Sequence, residues 1–142
     1  MASKKDLSLA ADIRVTVSGM LRQFRKRTIG YNISMTEHTT LAFIDLHGAI
    51  LASELAALER VTAQSMSQII NHLQELGYVT KKISEQDKRK VFISLSQEGK
   101  AMLTEVRNAR TEWLATAIND KLTSDEKKVL EQAVLILKKL EE

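Results

Sequence analysis

The sequence predicts a mainly α fold that carries one small β-hairpin. Three observations predict it. The 142 residues contain no proline and only 4% aromatic against 27% charged residues, a composition that suits long uninterrupted helices better than a sandwich or barrel with its many turns. Apolar residues recur at three- and four-residue spacing through most of the chain, the period of a helix face. Between Val79 and Leu95 the spacing changes to alternation, the period of a strand.

The length also bounds function. It supplies the core of one domain and no room for a separate catalytic domain beside a binding domain. The absence of cysteine excludes disulfides, thiolate metal sites and thiol redox sensing. No stretch reaches the roughly 18 apolar residues of a membrane span, and the N-terminus leads into no long apolar run, so a cytoplasmic protein without a membrane partner is expected. A formal net charge of +3 identifies no partner by itself. What matters is where the charge clusters.

Taken in order, the first helix runs from Leu7 to about Arg27 on the stripe Ala10, Ile13, Val17, Met20, Leu21 and Phe24. Gly30, Tyr31 and Asn32 interrupt it. Ser34 with Glu37 forms a capping box, which predicts a second helix to about Leu46, striped by Leu41, Ile44 or Phe43, and Leu46, and stopped by Gly48. Ala49 to Ala52 makes a short strand, and Ser53 to Glu59 a compact helix on Leu55, Ala56 and Leu58. Thr62 then caps a helix whose Met66, Ile69, Ile70, Leu73 and Leu76 form one apolar face, ended by Gly77. Val79, Lys81 and Ile83, then Val91, Ile93 and Leu95, make two strands around a polar tip at Ser84 to Lys90. Ser96 caps a long helix through Trp113 to near Leu122. Thr123 with Glu126 is a second capping box, opening a last helix on Leu130, Ala133, Val134, Leu137 and Leu140.

The helix after Thr62 has an unusual polar face. Gln64, Ser65, Ser67, Gln68, Asn71 and His72 are uncharged and capable of hydrogen bonding, where a solvated face ordinarily carries Glu and Lys pairs. A short helix, a tight turn at Arg60 and Val61, and this second helix match a helix-turn-helix, whose second helix enters the major groove of duplex DNA. Amides pair with the adenine edge, and hydroxyls read bases or anchor phosphates. Thr62, Gln64, Ser65, Ser67, Gln68 and Asn71 are therefore the predicted DNA-binding residues of this helix. The hairpin adds Lys81, Lys82, Lys88, Arg89 and Lys90 against Glu85 and Asp87, the one strongly basic cluster in the chain. It reads as a wing on the phosphate backbone or in the minor groove, with Arg89 the inserted residue and Asp87, two positions away, ordering it by a bidentate pair.

These residues carry a family resemblance. Ser53-Glu54-Leu55-Ala56, then Leu73-Gln74-Glu75-Leu76-Gly77-Tyr78-Val79, Lys81-Lys82, Asp87-Lys88-Arg89 and Leu95-Ser96-Gln97-Glu98-Gly99 resemble the MarR family of transcription regulators over nearly the whole chain. Leu122-Thr123-x-x-Glu126 is similar to the start of the family's last helix. The resemblance implies a winged helix-turn-helix lobe at about 34–96, flanked by dimerisation helices at about 1–33 and 97–142, within a single domain. It further implies a homodimer on a pseudo-palindromic double-stranded DNA site, and repression relieved by a small aromatic or anionic effector bound between the dimer helices and the DNA-binding lobe. The sequence departs from the family at Gln68, where arginine is frequent, at Ala52, where a capping hydroxyl is common, and at Lys81 and Lys82, where arginines are usual.

Competing readings have less behind them. His38, His47 and His72 match no metal-ligand spacing, so neither a metal nor a cofactor is expected. Trp113 at helical spacing reads as core or dimer contact before ligand pocket. Nothing resembles a catalytic triad, a carboxylate pair or a phosphate loop, and no enzymatic activity is expected. The remaining alternative is a winged helix used as a protein-interaction or dimerisation module, which would expose an apolar patch where this chain shows amides and hydroxyls.

Overall fold

A computed structural model describes residues 1–28 and 30–141; Ile29 and Glu142, which fall inside the two predicted dimerisation segments, lie outside the described residues. The elements are α1 (Lys4–Lys26), α2 (Met35–His47), β1 (Ala49–Leu51), α3 (Ala52–Leu58), α4 (Ala63–Glu75), β2 (Val79–Ile83), β3 (Val91–Leu95), α5 (Gln97–Lys121) and α6 (Ser124–Lys138). They divide into two compact units, Met1–Arg107 and Asn108–Glu142, with the division inside α5.

In the first unit, α1 begins three residues earlier than its apolar stripe predicts. Ser3 and Asp6 close a capping box: the Ser3 hydroxyl accepts from the Asp6 amide at 3.1 Å and the Ser3 amide donates to Asp6 Oδ2 at 2.8 Å. The Ser3 hydroxyl, which also donates to Asp6 Oδ2 at 2.7 Å, and then the Ser3 amide hold the Asp6 carboxyl below its usual pKa. None of the 23 residues of α1 is buried.

The core is built from α2 onward. Leu41, Ile44, Leu55, Ile93 and Val106 are fully buried, together with Met66, Ile70 and Leu73 from α4 and Leu103 from α5. Two predicted stripe members differ. Leu46 is 77% exposed and Leu58 is also exposed, because the inward face of α2 runs through His38, Leu41 and Ile44, and that of α3 through Leu55 and Ala56.

Both hairpin strands occupy the predicted positions, and β1 joins them in an antiparallel sheet of order β1-β3-β2. Ile50 pairs with Ile93, Lys81 with Ile93 on its other side, and Val79 with Leu95. The hairpin is thus rooted in a three-stranded sheet, because residues more than forty positions apart pair across β3. Its root is tied to α5. The Ser96 hydroxyl caps α5 by accepting from the Gly99 amide at 3.0 Å and donates to the Gly77 carbonyl, while the Ser96 amide donates to the Tyr78 carbonyl at 3.0 Å. At Gly99 a Cβ would lie 2.1 Å from the Tyr78 carbonyl oxygen, so the position accepts no side chain without moving backbone. Arg107 donates to Asp45 at 2.9 Å, joining α5 to α2.

In the second unit, the Thr123 and Glu126 capping box is fully formed. Helix α6 buries no residue and exposes Val129, Val134, Leu135, Ile136 and Leu137. Leu122, Val129, Leu130 and Ala133 line an open apolar groove of about 470 Å³ on it.

Candidate nucleic-acid interface

Helix α4 is the centre of the site. Its N-cap is Thr62, as predicted, whose hydroxyl accepts from the Ser65 amide at 3.0 Å and donates to the Ser65 hydroxyl at 3.0 Å. These two hydroxyls therefore shape the helix start. Met66, Ile70 and Leu73 anchor the inner face, which leaves Gln64, Ser67, Gln68 and Asn71, at spacings of three, four and seven, as one exposed polar stripe.

Two turns set the angle of this helix, and both are Schellman motifs. At the end of α3, the Arg60 amide donates to the Ala57 carbonyl at 3.2 Å and the Val61 amide to the Ala56 carbonyl at 3.0 Å, with Arg60 in the left-handed region at φ +54°. At the end of α4, Gly77 takes that conformation at φ +82°, and the Tyr78 amide donates to the Leu73 carbonyl at 2.9 Å. The first turn uses an arginine where glycine carries no steric cost. Nothing in the sequence pattern marks Arg60 for a left-handed backbone.

Two polar bridges fix α2 against the helix-turn-helix. The Thr40 hydroxyl, fully buried, donates to Glu59 at 2.6 Å, and burial raises the Glu59 carboxyl above its ordinary pKa even with that bond lowering it. Glu37 and His72 meet at 2.8 Å. An ionised carboxylate only accepts, so Nδ1 of His72 is the donor. The Glu37 carboxylate does not complete the predicted capping box. The Ser34 hydroxyl accepts from the Glu37 amide at 3.1 Å, but the carboxylate turns to His72 and to the Ser34 hydroxyl instead of the Ser34 backbone. His72 is accordingly half-buried against Glu37 and does not stand free on the polar face of α4 to which its spacing assigns it. Glu37 and His72 lie 35 residues apart, and no local pattern joins them.

The hairpin tip is ordered by Asp87. Its Oδ1 accepts from the Arg89 amide at 3.0 Å and from Arg89 Nε at 3.1 Å, its Oδ2 accepts from Arg89 Nη2 at 3.3 Å, and its carbonyl accepts from the Lys90 amide at 2.9 Å. The hydrogen bonds from Arg89 hold the Asp87 carboxyl below its usual range. Ser84, itself buried, accepts from the Asp87 amide at 3.3 Å. The Arg89 side chain is nonetheless 92% exposed, so it is aimed and still accessible.

The remaining basic residues separate. Lys81 and Lys82 alternate along β2. Lys81 bonds back to Asn71 of α4 and shares a cavity of about 270 Å³ with Ser67, Ile70, Asn71 and Val91, between the helix and the sheet. Lys82 instead lines a depression with Ala49, Ser84, Glu85, Gln86 and Phe92. Lys88 and Lys90 are exposed at the tip with Arg89. The structure thus brings Ser67, Asn71 and Lys81 together, orders Asp87 with Arg89, and sets Lys82 apart. The Asn71 to Lys81 contact spans ten residues across the turn at Gly77, and the turn is the signal that folds β2 back over the last turns of α4.

Among the described residues no group of histidines and carboxylates is arranged to hold a metal ion. No helix is long and apolar enough to cross a membrane among those residues.

Comparison with known proteins points in one direction. A family model described as MarR family matches residues 31–90, from just before α2 through the hairpin tip. An uncharacterised HTH-type transcriptional regulator of Mycobacterium leprae is 33% identical over 138 residues, 96% of each chain. A solved structure from Pseudomonas aeruginosa, described as a candidate transcriptional regulator, superposes with a TM-score of 0.89 at 29% identity over 99% of both chains. A MepR variant from Staphylococcus aureus bound to an oligodeoxyribonucleotide superposes with a TM-score of 0.74 over 94% of this chain and 98% of that one, at 15% identity, and so bears on the fold alone.

Proposed function

The chain belongs to the MarR family of winged helix-turn-helix, DNA-binding transcription regulators, and on that premise we propose that it acts in the cytoplasm as a homodimer on a pseudo-palindromic duplex site, by binding alone and without catalysis. Two subunits related by a dyad present two copies of α4 to major grooves about one helical turn apart. Gln64, Ser67, Gln68 and Asn71 face the bases with Lys81 bonded to Asn71 beside them, Thr62 and Ser65 hold the helix start near the phosphates, and Lys88, Arg89 and Lys90 follow the backbone. Lys82 contributes only to the general field of the wing. Asp87 orders Arg89 before DNA arrives. The entropy of fixing that side chain is then spent during folding rather than on binding. The apolar residues exposed on α1 and α6 support dimerisation, since surfaces of that kind are normally covered.

The observation that carries the reading is the uncharged polar stripe of α4 beside an arginine aimed by Asp87. An interaction module would instead expose large apolar residues on α4, and none is exposed there among the described residues. Repression relieved by a small aromatic or anionic effector fits this architecture: a ligand that binds better to a dimer whose two α4 helices no longer match the grooves lowers DNA affinity by that difference.

Fluorescence anisotropy on the DNA upstream of the gene and on random duplex, across salt concentrations, tests the proposal. Arg89→Ala removes one phosphate contact per subunit, so it should weaken binding on both and reduce the salt slope of the dimer by about two. Gln64→Ala should lose about 1–3 kcal/mol of discrimination between the two DNAs. Equal binding to both DNAs, indifferent to either substitution, would favour the interaction module.

A further inference from the structure

The contact between Asn71 and Lys81 bears on which base the recognition helix reads. An exposed asparagine on such a helix ordinarily pairs with adenine, its oxygen accepting from N6 and its amide donating to N7. That pairing needs an oxygen available to a second donor. Here one of that oxygen's two lone pairs is already taken by a cation. A lysine ammonium carries three donors and no acceptor, so the amide atom it meets has to be Oδ1; the NH2 of Asn71 is left free, while the remaining lone pair of Oδ1 lies beside a positive charge. Adenine's amino group would have to share that oxygen with an ammonium, donor against donor.

The surroundings favour the contact. Ile70, Val91 and Ile93 line the same cavity, and Ile93 is fully buried, so the base of the groove is apolar. Charge-assisted hydrogen bonds gain strength where water is excluded, and DNA seated over this groove would exclude it. Ser67, one helical turn before Asn71, lines the same cavity and lies on the stripe that faces the DNA.

We propose that Lys81 sets the base preference of α4 by holding the Asn71 oxygen, so that the pair offers the DNA chiefly donors and favours guanine. Guanine is the base whose major-groove edge offers two adjacent acceptors, O6 and N7. The Asn71 amide and the remaining N–H groups of Lys81 supply two adjacent donors. The inference rests on the sequence-reading function proposed above and names the base that this part of the site selects.

Selection from a randomised duplex pool with the full-length protein, followed by sequencing of the bound DNA, tests it. The wild type should enrich a guanine at one position in each half-site. Lys81→Met removes the ammonium, frees the Asn71 oxygen, and should lower the guanine preference at that position by roughly tenfold, with adenine gaining. Lys81→Arg, also donor-only, should retain guanine, and Asn71→Ala should lose the preference at the same position. Unchanged base preferences in Lys81→Met, or a uniform loss of affinity on every sequence, would overturn the inference while leaving the sequence-reading function intact. Failure of the wild type to enrich any sequence would overturn both.

Discussion

Between Leu41 and Val106 the chain closes an apolar core of its own, whereas α1 and α6, of 23 and 15 residues, bury nothing. The two regions have comparable apolar stripes. What differs is the geometry of the chain around them: α2 to α4 and the sheet fold back on each other through tight turns at Gly48, Arg60 and Gly77, while α1 and α6 each present a stripe to solvent. Long amphipathic helices draw most of their stability from packing. The middle region is therefore self-sufficient, whereas the stripes of the terminal helices are what the proposed dimer would cover.

Substitutions in the two regions should fail in different ways. Leu73→Ala, at a fully buried position of α4, should cost about 2–5 kcal/mol of unfolding free energy at every protein concentration, measured by denaturant titration. Val134→Asp, on the exposed stripe of α6, should leave the lobe's own unfolding intact but raise the dimer dissociation constant about thirtyfold, roughly 2 kcal/mol, by sedimentation equilibrium. A folded, wild-type-like dimer in Val134→Asp would place the interface elsewhere. Arg60→Gly relieves the left-handed backbone of the first Schellman turn and should stabilise the lobe by about 0.5–1 kcal/mol; a loss would mean that the arginine side chain contributes more than its backbone costs.

The smallest effect concerns Glu59. Its carboxyl titrates higher in the folded than in the unfolded chain, so the native state holds more protons between the two values, and stability falls as pH rises through that window. Glu59→Gln keeps an acceptor for Thr40 and carries no charge. It should be slightly more stable than wild type at neutral pH, with the difference closing in acid, as thermal melts across pH would reveal.

Local chemistry was readable from the residues, and long-range pairing was not. Thr62, Ser96 and Thr123 cap where their spacing predicts, and both hairpin strands lie where the alternation puts them. Each of these features is decided within a few residues of chain. The pairing of β1 with β3, the bridge from Glu37 to His72 and the bond from Lys81 to Asn71 are decided by the fold, and no pattern within one element specifies them. The early start of α1 is an exception of another kind: Ser3 and Asp6 are local, but aspartate replaces the glutamate or glutamine of the usual box. Leu46 shows the limit of periodicity, since a stripe fixes spacing and leaves the rotation of its helix to the residues packed against it.

The junction of Gly77, Tyr78, Ser96 and Gly99 has a mechanical consequence. Two carbonyls, one hydroxyl and two amides are bound in a single knot, and the contact at Gly99 leaves no room for even a methyl group. Such a joint transmits displacement without slack. A tilt of the first turn of α5 would carry the end of α4 with it, so the two helix ends share one rigid corner.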